Sequence, residues 1–340
     1  MREIMEVDEM SYKDEFNFWL NDDYFDQATK DELLAIRDNE GEIEDRFYKE
    51  LEFGTGGLRG VIGAGTNRMN IYTVRKASQG LANYIIKANG QDKGIAIAYD
   101  SRFMSPEFAD EAALCMAANG IKAYVFESLR PTPELSFALR TLGCISGIVI
   151  TASHNPPEYN GYKVYWEDGA QLPPEHADVV SATMQKLDIF EDVKLADFDE
   201  ALAAGKIVML GRDMDEKYLA CVQAQAVNPE AVKAVADELK IVYSPLHGTG
   251  YRLVPEILRR CGHKNVFTVD EQMVISGDFP TVAKPNPEYK EVFDIGMKIA
   301  DEVGSDLVVA TDPDADRVGV VTRTPDGSFT TITGNQMGAL

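Results

Sequence analysis

The sequence predicts an α/β protein built from two consecutive domains, each a mainly parallel sheet covered by helices. From residue 94 onward, short apolar runs alternate with helical patterns, as strand–helix–strand units require. The alternation occurs twice, interrupted by a charged, helix-like stretch at about 174–205. A chain of 340 residues with 45% hydrophobic content also has room for more than one core.

Taken in order, residues 1–45 read as a helical extension. Tyr12–Leu20 carries Phe16, Trp19 and Leu20 at helical spacing, and Thr29–Asp38 follows behind an N-cap at Thr29. The first α/β unit spans 46–207. Gly94–Tyr99 is a strand, Ser105-Pro106 opens a helix to about Asn119, and Lys122–Glu127 is the next strand. Thr132-Pro133 opens another helix ending near Gly143, and Ile145–Thr151 is a third strand. The second unit spans 208–330, with strands at Lys240–Tyr243, Asn265–Val269, Asp306–Ala310 and Val318–Thr322 and helices at Tyr251–Cys261 and Glu288–Val303. Residues 331–340 look like the start of a helix that stops without a cap, so the chain is expected to be a fragment of a longer protein.

Lys and Arg number 33 against 56 Asp and Glu, a net charge of −23. Such a surface repels nucleic acid and anionic membranes, so neither is an expected partner. It would repel a phosphorylated ligand as well, so any phosphate site needs local Arg, Lys, backbone N–H groups or a metal. Cys115, Cys144, Cys221 and Cys261 form no CxxC pair, and the helix-like contexts of Cys115, Cys221 and Cys261 predict buried free thiols. No signal peptide is visible and no apolar stretch approaches the roughly 20 residues of a membrane span, so a cytoplasmic location is expected.

Chemistry concentrates at strand ends. Thr151-Ala-Ser-His-Asn-Pro-Pro-Glu-Tyr-Asn-Gly-Tyr-Lys163 places Ser153 where an apolar strand runs out into a turn, flanked by His154 and Asn155. A hydroxyl there is a candidate nucleophile. Asp312, Asp314 and Asp316 follow a second strand end, with Arg317 next; three carboxylates spaced by two form an oxygen-rich pocket for a hard cation such as Mg²⁺. An EF-hand is ruled out because Arg317 and Arg323 stand where Gly and Glu are required. A phosphatase using Asp312 as nucleophile and a plain solvated acidic turn are the competing readings. Nucleophile plus metal loop argues for phosphoryl transfer. Phe53–Gly60 is glycine-dense and carries Arg59, a candidate phosphate fork. Arg102 and Arg130, at strand ends, could line the same cleft or pair with acidic neighbours, and His247 could contact phosphate or serve the fold.

In combination these loops resemble the α-D-phosphohexomutase superfamily. Thr151–Lys163 is similar to its phosphoserine loop, Asp312–Arg317 to its magnesium loop, Gly54–Gly60 to its first glycine-arginine loop and Ser276–Glu288 to its FPT…PNPE segment. Glu158–Leu172 resembles the branch of phosphoglucomutases and phosphopentomutases. The resemblance implies four domains, of which this chain would hold the phosphoserine-loop domain, the metal-loop domain and the start of a third. It implies phosphoryl transfer between positions 1 and 6 (or 5) of a sugar phosphate, through phosphorylated Ser153 and a bisphosphate intermediate. Mg²⁺ would be held by Asp312, Asp314, Asp316 and a phosphoserine oxygen, with glucose 1,6-bisphosphate as activator. Arg59 and Lys163 match positions that aid proton transfer, His154 would orient the loop, and Asn155, Arg317, Arg102 and His247 are candidate phosphate contacts. Phosphoglucomutase is the favoured activity of the longer protein, with this piece alone expected to be inactive in full turnover; phosphomannomutase and phosphopentomutase are alternatives and a sugar-phosphate-binding fragment is the non-enzymatic one.

Overall fold

The structure, a computed structural model, describes residues 11–54 and 56–339; residues 1–10 of the expected extension, Thr55 of the glycine-rich loop and Leu340 lie outside the described residues. Three helices open the described chain: α1 (Tyr12–Asn21), α2 (Gln27–Ile36) and α3 (Glu40–Phe47). The N-cap of α2 is Asp26, which accepts from the Thr29 N–H, so Thr29 sits inside the helix and not at its start. Phe16, Trp19, Phe25 and Phe47 pack with Tyr72 in stacked and edge-on pairs, which fastens these helices to the first domain. Each such pair adds about 0.5–1.5 kcal/mol beyond its area.

The first domain contains β1 (Gly57–Val61), α4 (Ile71–Lys87), β2 (Ile95–Tyr99), α5 (Ser105–Ala118), β3 (Ala123–Phe126), α6 (Thr132–Leu142), β4 (Ser146–Ile150), β5 (Tyr159–Trp166), α7 (Pro174–Met184), α8 (Phe198–Ala203) and β6 (Ile207–Leu210). Its sheet order is β1-β5-β4-β2-β3-β6. Ile95 and Ile97 enter one core while Ala96 and Ala98 enter the other, because successive strand side chains face opposite ways. Both faces are therefore covered by helices.

The mainly parallel block holds, with one refinement, and one expected boundary shifts. β4 is joined to β5 by residues 151–158 with no helix between them, so the return strand must run antiparallel, and the sheet is mixed. β6 pairs with β3, so the first domain reaches Leu210 and the division expected at 207 would cut the sheet. Gly57, at φ 147°, lets β1 approach β5: a Cβ there would lie 1.8 Å from the Tyr162 carbonyl oxygen.

The second domain follows with α9 (Arg212–Gln223), α10 (Pro229–Val235), β7 (Lys240–Ser244), α11 (Gly250–Arg260), β8 (Asn265–Thr268), α12 (Asp270–Met273), α13 (Asp294–Val303), β9 (Leu307–Thr311), β10 (Val318–Arg323), β11 (Phe329–Ile332) and α14 (Gly334–Ala339). The order is β11-β10-β9-β7-β8, again a parallel block with an antiparallel return, β10, joined to β9 through the aspartate loop. Residues 290–293 form a 3₁₀ turn ahead of α13, which shortens the helix expected from Glu288. Among the described residues the cysteines are free. Cys115 and Cys144 are buried, whereas Cys221 is exposed and Cys261 half-buried, both contrary to expectation. No helix of the described residues is long and apolar enough to cross a membrane.

The seam between the domains contains a buried charge network. Arg130 donates to both oxygens of Asp215 on α9, at 2.7 and 3.2 Å, and Arg252 of α11 lies 3.5 Å from the same carboxylate. Arg130 is thus a structural anchor. Glu134 of α6 lies inside this seam with neither carboxylate oxygen hydrogen-bonded. Burial and then the charge of Asp215 push its carboxyl up to about 8 from the usual 4.5. The folded protein therefore keeps this proton where the unfolded chain releases it, and stability falls as pH rises from 4.5 to 8. Glu134→Gln is expected to match wild type near pH 4.5 and to exceed it by about 2–4 kcal/mol above pH 8. Urea unfolding across that range checks this; parallel curves for the two proteins would refute it.

Candidate active site

Two loops from different domains meet at hydrogen-bond distance. The loop after β4 carries Ser153 and the loop after β9 carries the aspartates, and Ser153 Oγ donates to Asp312 Oδ2 at 2.8 Å. Both loops sit at the ends of parallel strands, where α/β sheets open their ligand crevices.

Ser153 is buried and held at φ 52°, a left-handed backbone that a non-glycine residue adopts at a cost of about 1–3 kcal/mol. What holds it is local. Its N–H donates to Thr151 Oγ1 at 2.8 Å, and that hydroxyl donates to the buried Asp100 at 2.6 Å. Arg102 then closes the loop from behind. Its guanidinium donates to the carbonyls of Ser153, Asn155, Pro156 and Tyr159. Arg102 is a candidate phosphate contact in the sequence; with its terminal nitrogens on these carbonyls, it shapes the serine loop instead. His154 Nδ1 lies 3.2 Å from Ser153 Oγ, and burial followed by the charges of Arg317 and Arg59 pushes its pKa down, so the ring is neutral near pH 7.

The aspartate loop is pinned just as firmly. Arg317 N–H donates to Asp312 Oδ1 at 2.9 Å, and Thr249 N–H to the Pro313 carbonyl at 2.8 Å. Gly248 permits that second contact, since a Cβ there would lie 2.3 Å from Pro313 Cα. Asp312, Asp314 and Asp316 each bring a carboxylate oxygen within 4.8 Å of the others. Burial, then Asp314 and Asp316, pushes the Asp312 carboxyl well above the ordinary range. Burial raises Asp314 too, but the Lys163 ammonium 2.9 Å away, together with hydrogen bonds from Asp312 and Thr132, outweighs it and holds that carboxyl below its ordinary value.

These residues fit a divalent cation. Asp314 Oδ1 is buried and has no partner, and one ammonium cannot neutralise three clustered carboxylates.

Lys163 reaches the cluster because β5 runs beside β4; its Nζ lies 2.9 Å from Asp314 and 3.5 Å from Asp316. Arg59, exposed on β1, donates to Asn155 Oδ1 at 3.4 Å. Arg59 and Lys163 line one cleft of about 580 Å³ together with Tyr48, Gly57 and Gln171. Arg317 extends its guanidinium toward Glu288 at 3.5 Å. His247 is not brought into this group as a phosphate contact. It is buried, with Nδ1 on the Val274 carbonyl and Nε2 on Thr281 Oγ1, so it ties the loop after β7 to the segment containing Thr281. Asp100, which helps set the serine's backbone, carried no sequence signal beyond standing next to a strand end, and Thr151, though it opens the serine-loop motif, showed no role of its own in the sequence.

Residues 50–189 match the family description "Phosphoglucomutase/phosphomannomutase, alpha/beta/alpha domain I", and residues 216–327 match domain II of the same family. The chain belongs to the phosphoglucomutase/phosphomannomutase family. A phosphoglucomutase from Staphylococcus saprophyticus is 38% identical over 318 residues, covering 94% of this chain and 55% of the relative. One from Staphylococcus aureus is 36% identical over 322 residues, covering 93% and 56%. The chain thus spans about half the length of the curated relatives it matches. Among solved structures, a candidate phosphomannomutase from Thermus thermophilus superposes with a TM-score of 0.68 at 26% identity, covering 83% of this chain and 58% of that one. Parafusin, a Paramecium phosphoglucomutase, shares the fold with a TM-score of 0.61 at 18% identity, covering 81% and 53%.

Proposed function

We propose that this chain carries the phosphoryl-accepting serine and the metal loop of a phosphosugar mutase, with phosphoglucomutase as the activity its relatives favour. The observation that carries the reading is the direct contact between Ser153 Oγ and Asp312, which sets a hydroxyl nucleophile against a cluster of carboxylates. In the phosphorylated form, a free hydroxyl of a sugar monophosphate attacks the phosphorus on Ser153. The new P–O bond forms as the P–Oγ bond breaks, the hydroxyl loses a proton while Ser153 Oγ in net gains one, and a sugar bisphosphate results. Return of the other phosphoryl group to Ser153 completes the exchange.

Asp312, Asp314 and Asp316 would hold Mg²⁺, which when bound supplies neutralisation of the charge that builds on the transferring phosphoryl group. Ser153 supplies the acceptor oxygen. Lys163, paired with Asp314 and Asp316, places positive charge beside the nucleophile loop, and it would give a proton to Ser153 Oγ as the phosphoryl group leaves only when those carboxylates are drawn away from it. Arg59 stays charged and offers a phosphate fork beside the nucleophile loop. Asn155 couples Arg59 to that loop. The cleft that Arg59 and Lys163 line suits a sugar phosphate in size. Glucose 1,6-bisphosphate would act as phosphoryl donor, and the buried free thiols of Cys115 and Cys144 suit a reducing, cytoplasmic setting.

Peptide mapping by mass spectrometry after incubation with glucose 1,6-bisphosphate and Mg²⁺ tests the reading. One phosphoryl group on the peptide containing Ser153 supports it; a phosphoryl group elsewhere, or none, counts against it.

A further inference from the structure

Asp314 has one carboxylate oxygen doubly held, and the constraint comes from the other domain. Its Oδ2 accepts from Thr132 Oγ1 at 3.1 Å and from Lys163 Nζ at 2.9 Å. Its backbone carbonyl accepts from the Thr132 N–H at 2.9 Å. Oδ1 is left buried and without a partner. A carboxylate with one oxygen fixed by two donors cannot rotate, so its second oxygen has one direction to face.

Thr132 is itself firmly placed. It opens α6, follows Pro131 and is buried. Two residues earlier, Arg130 is bound to Asp215 and its N–H donates to the Tyr99 carbonyl. Thr132 therefore belongs to a rigid part of the first domain while Asp314 belongs to the second. Lys163 supplies charge at the same oxygen, but its flexible stem cannot fix direction as well as a β-branched hydroxyl whose own backbone is bonded to the same residue.

We infer that Thr132 is a cross-domain positioning residue that aims Asp314 Oδ1 at the cation, so that divalent-metal affinity depends on the first domain as well as on the aspartate loop. The inference rests on the reading of Asp312, Asp314 and Asp316 as the cation site. Partners that orient a metal ligand from behind typically contribute about 10–100-fold in affinity. Thr132 needs no contact with metal or substrate to have this effect.

The test is direct Mn²⁺ binding to the whole chain, read by electron paramagnetic resonance of free Mn²⁺, with no turnover required. Thr132→Val keeps the shape and removes the hydroxyl. It is expected to weaken Mn²⁺ binding by about 10–100-fold, while metal-free thermal unfolding stays close to wild type. Thr132→Ser keeps the hydroxyl and is expected to recover most of the affinity. Thr132→Ala serves as the second deletion of the hydroxyl if the valine variant does not fold. The inference is overturned if a folded variant lacking the hydroxyl binds Mn²⁺ as wild type does, or if Thr132→Ser is as weak as Thr132→Val. Failure of the wild-type chain to bind Mn²⁺ would overturn the cation-site reading itself, and this inference with it; normal wild-type binding with an unaffected valine variant would overturn this inference alone.

Discussion

Ser153→Ala is expected to take up no phosphoryl group from glucose 1,6-bisphosphate under conditions that phosphorylate the wild-type chain. The variant loses the oxygen that forms the P–O bond, and its loop has other supports. Thr151, Asp100 and Arg102 hold the backbone around residue 153 through main-chain atoms, so the fold should survive the change. The measurement also separates two chemistries that share the same aspartates. If Asp312 were the acceptor, as in a metal-dependent phosphatase, Ser153→Ala would still be labelled, and hydroxylamine would release the label from an acyl phosphate. A hydroxylamine-stable label that disappears with the serine agrees with the mutase reading.

Lys163→Met is expected to slow phosphoryl exchange at Ser153 by about 10²–10⁴-fold, the usual contribution of a positioned proton donor. Burial alone would drive this ammonium toward neutrality, but Asp314 and Asp316 more than offset it and keep the pKa raised. A lysine held this way starts protonated, is poorly suited to start as a base, and becomes a usable acid only when its carboxylate partners are drawn away. Lys163→Arg distinguishes proton delivery from charge, because a guanidinium keeps its charge and does not release a proton. Single-turnover rates should stay low in the arginine variant. Recovery of most of the rate with arginine would show that charge alone suffices.

The loops were legible in the sequence because each follows an apolar strand and packs unusual polar residues into a few positions: Ser153 with His154 and Asn155, and aspartates spaced by two. Their meeting was legible only through the family resemblance, since 159 residues separate Ser153 from Asp312 and nothing local to either loop points at the other. β5 lacks a clean alternation because residues on both its faces are buried, so its role as an antiparallel return was hidden. The pairing of β6 with β3 joins strands far apart in sequence, and nothing local to Ile207–Leu210 announces it. Helix α4 was hidden for a related reason. It buries Ser78, Gln79 and Gly80, and the glycine is needed because Met184 of α7 packs where a Cβ would stand. Arginines show the same limit at the site. Sequence offered both Arg59 and Arg102 to phosphate, the second with acidic pairing as its alternative, yet one stands exposed beside the cleft and the other is buried against four carbonyl groups. A residue type names the bonds that are available, and only packing decides which are made.

The account depends on a divalent cation facing the serine hydroxyl between the two domains, and anomalous diffraction from crystals of this chain soaked in Mn²⁺ tests it most directly. The account predicts one strong peak enclosed by the carboxylates of Asp312, Asp314 and Asp316 and adjacent to Ser153 Oγ. A saturating soak that leaves this position empty, or a peak bound elsewhere with the two loops drawn apart, would contradict it.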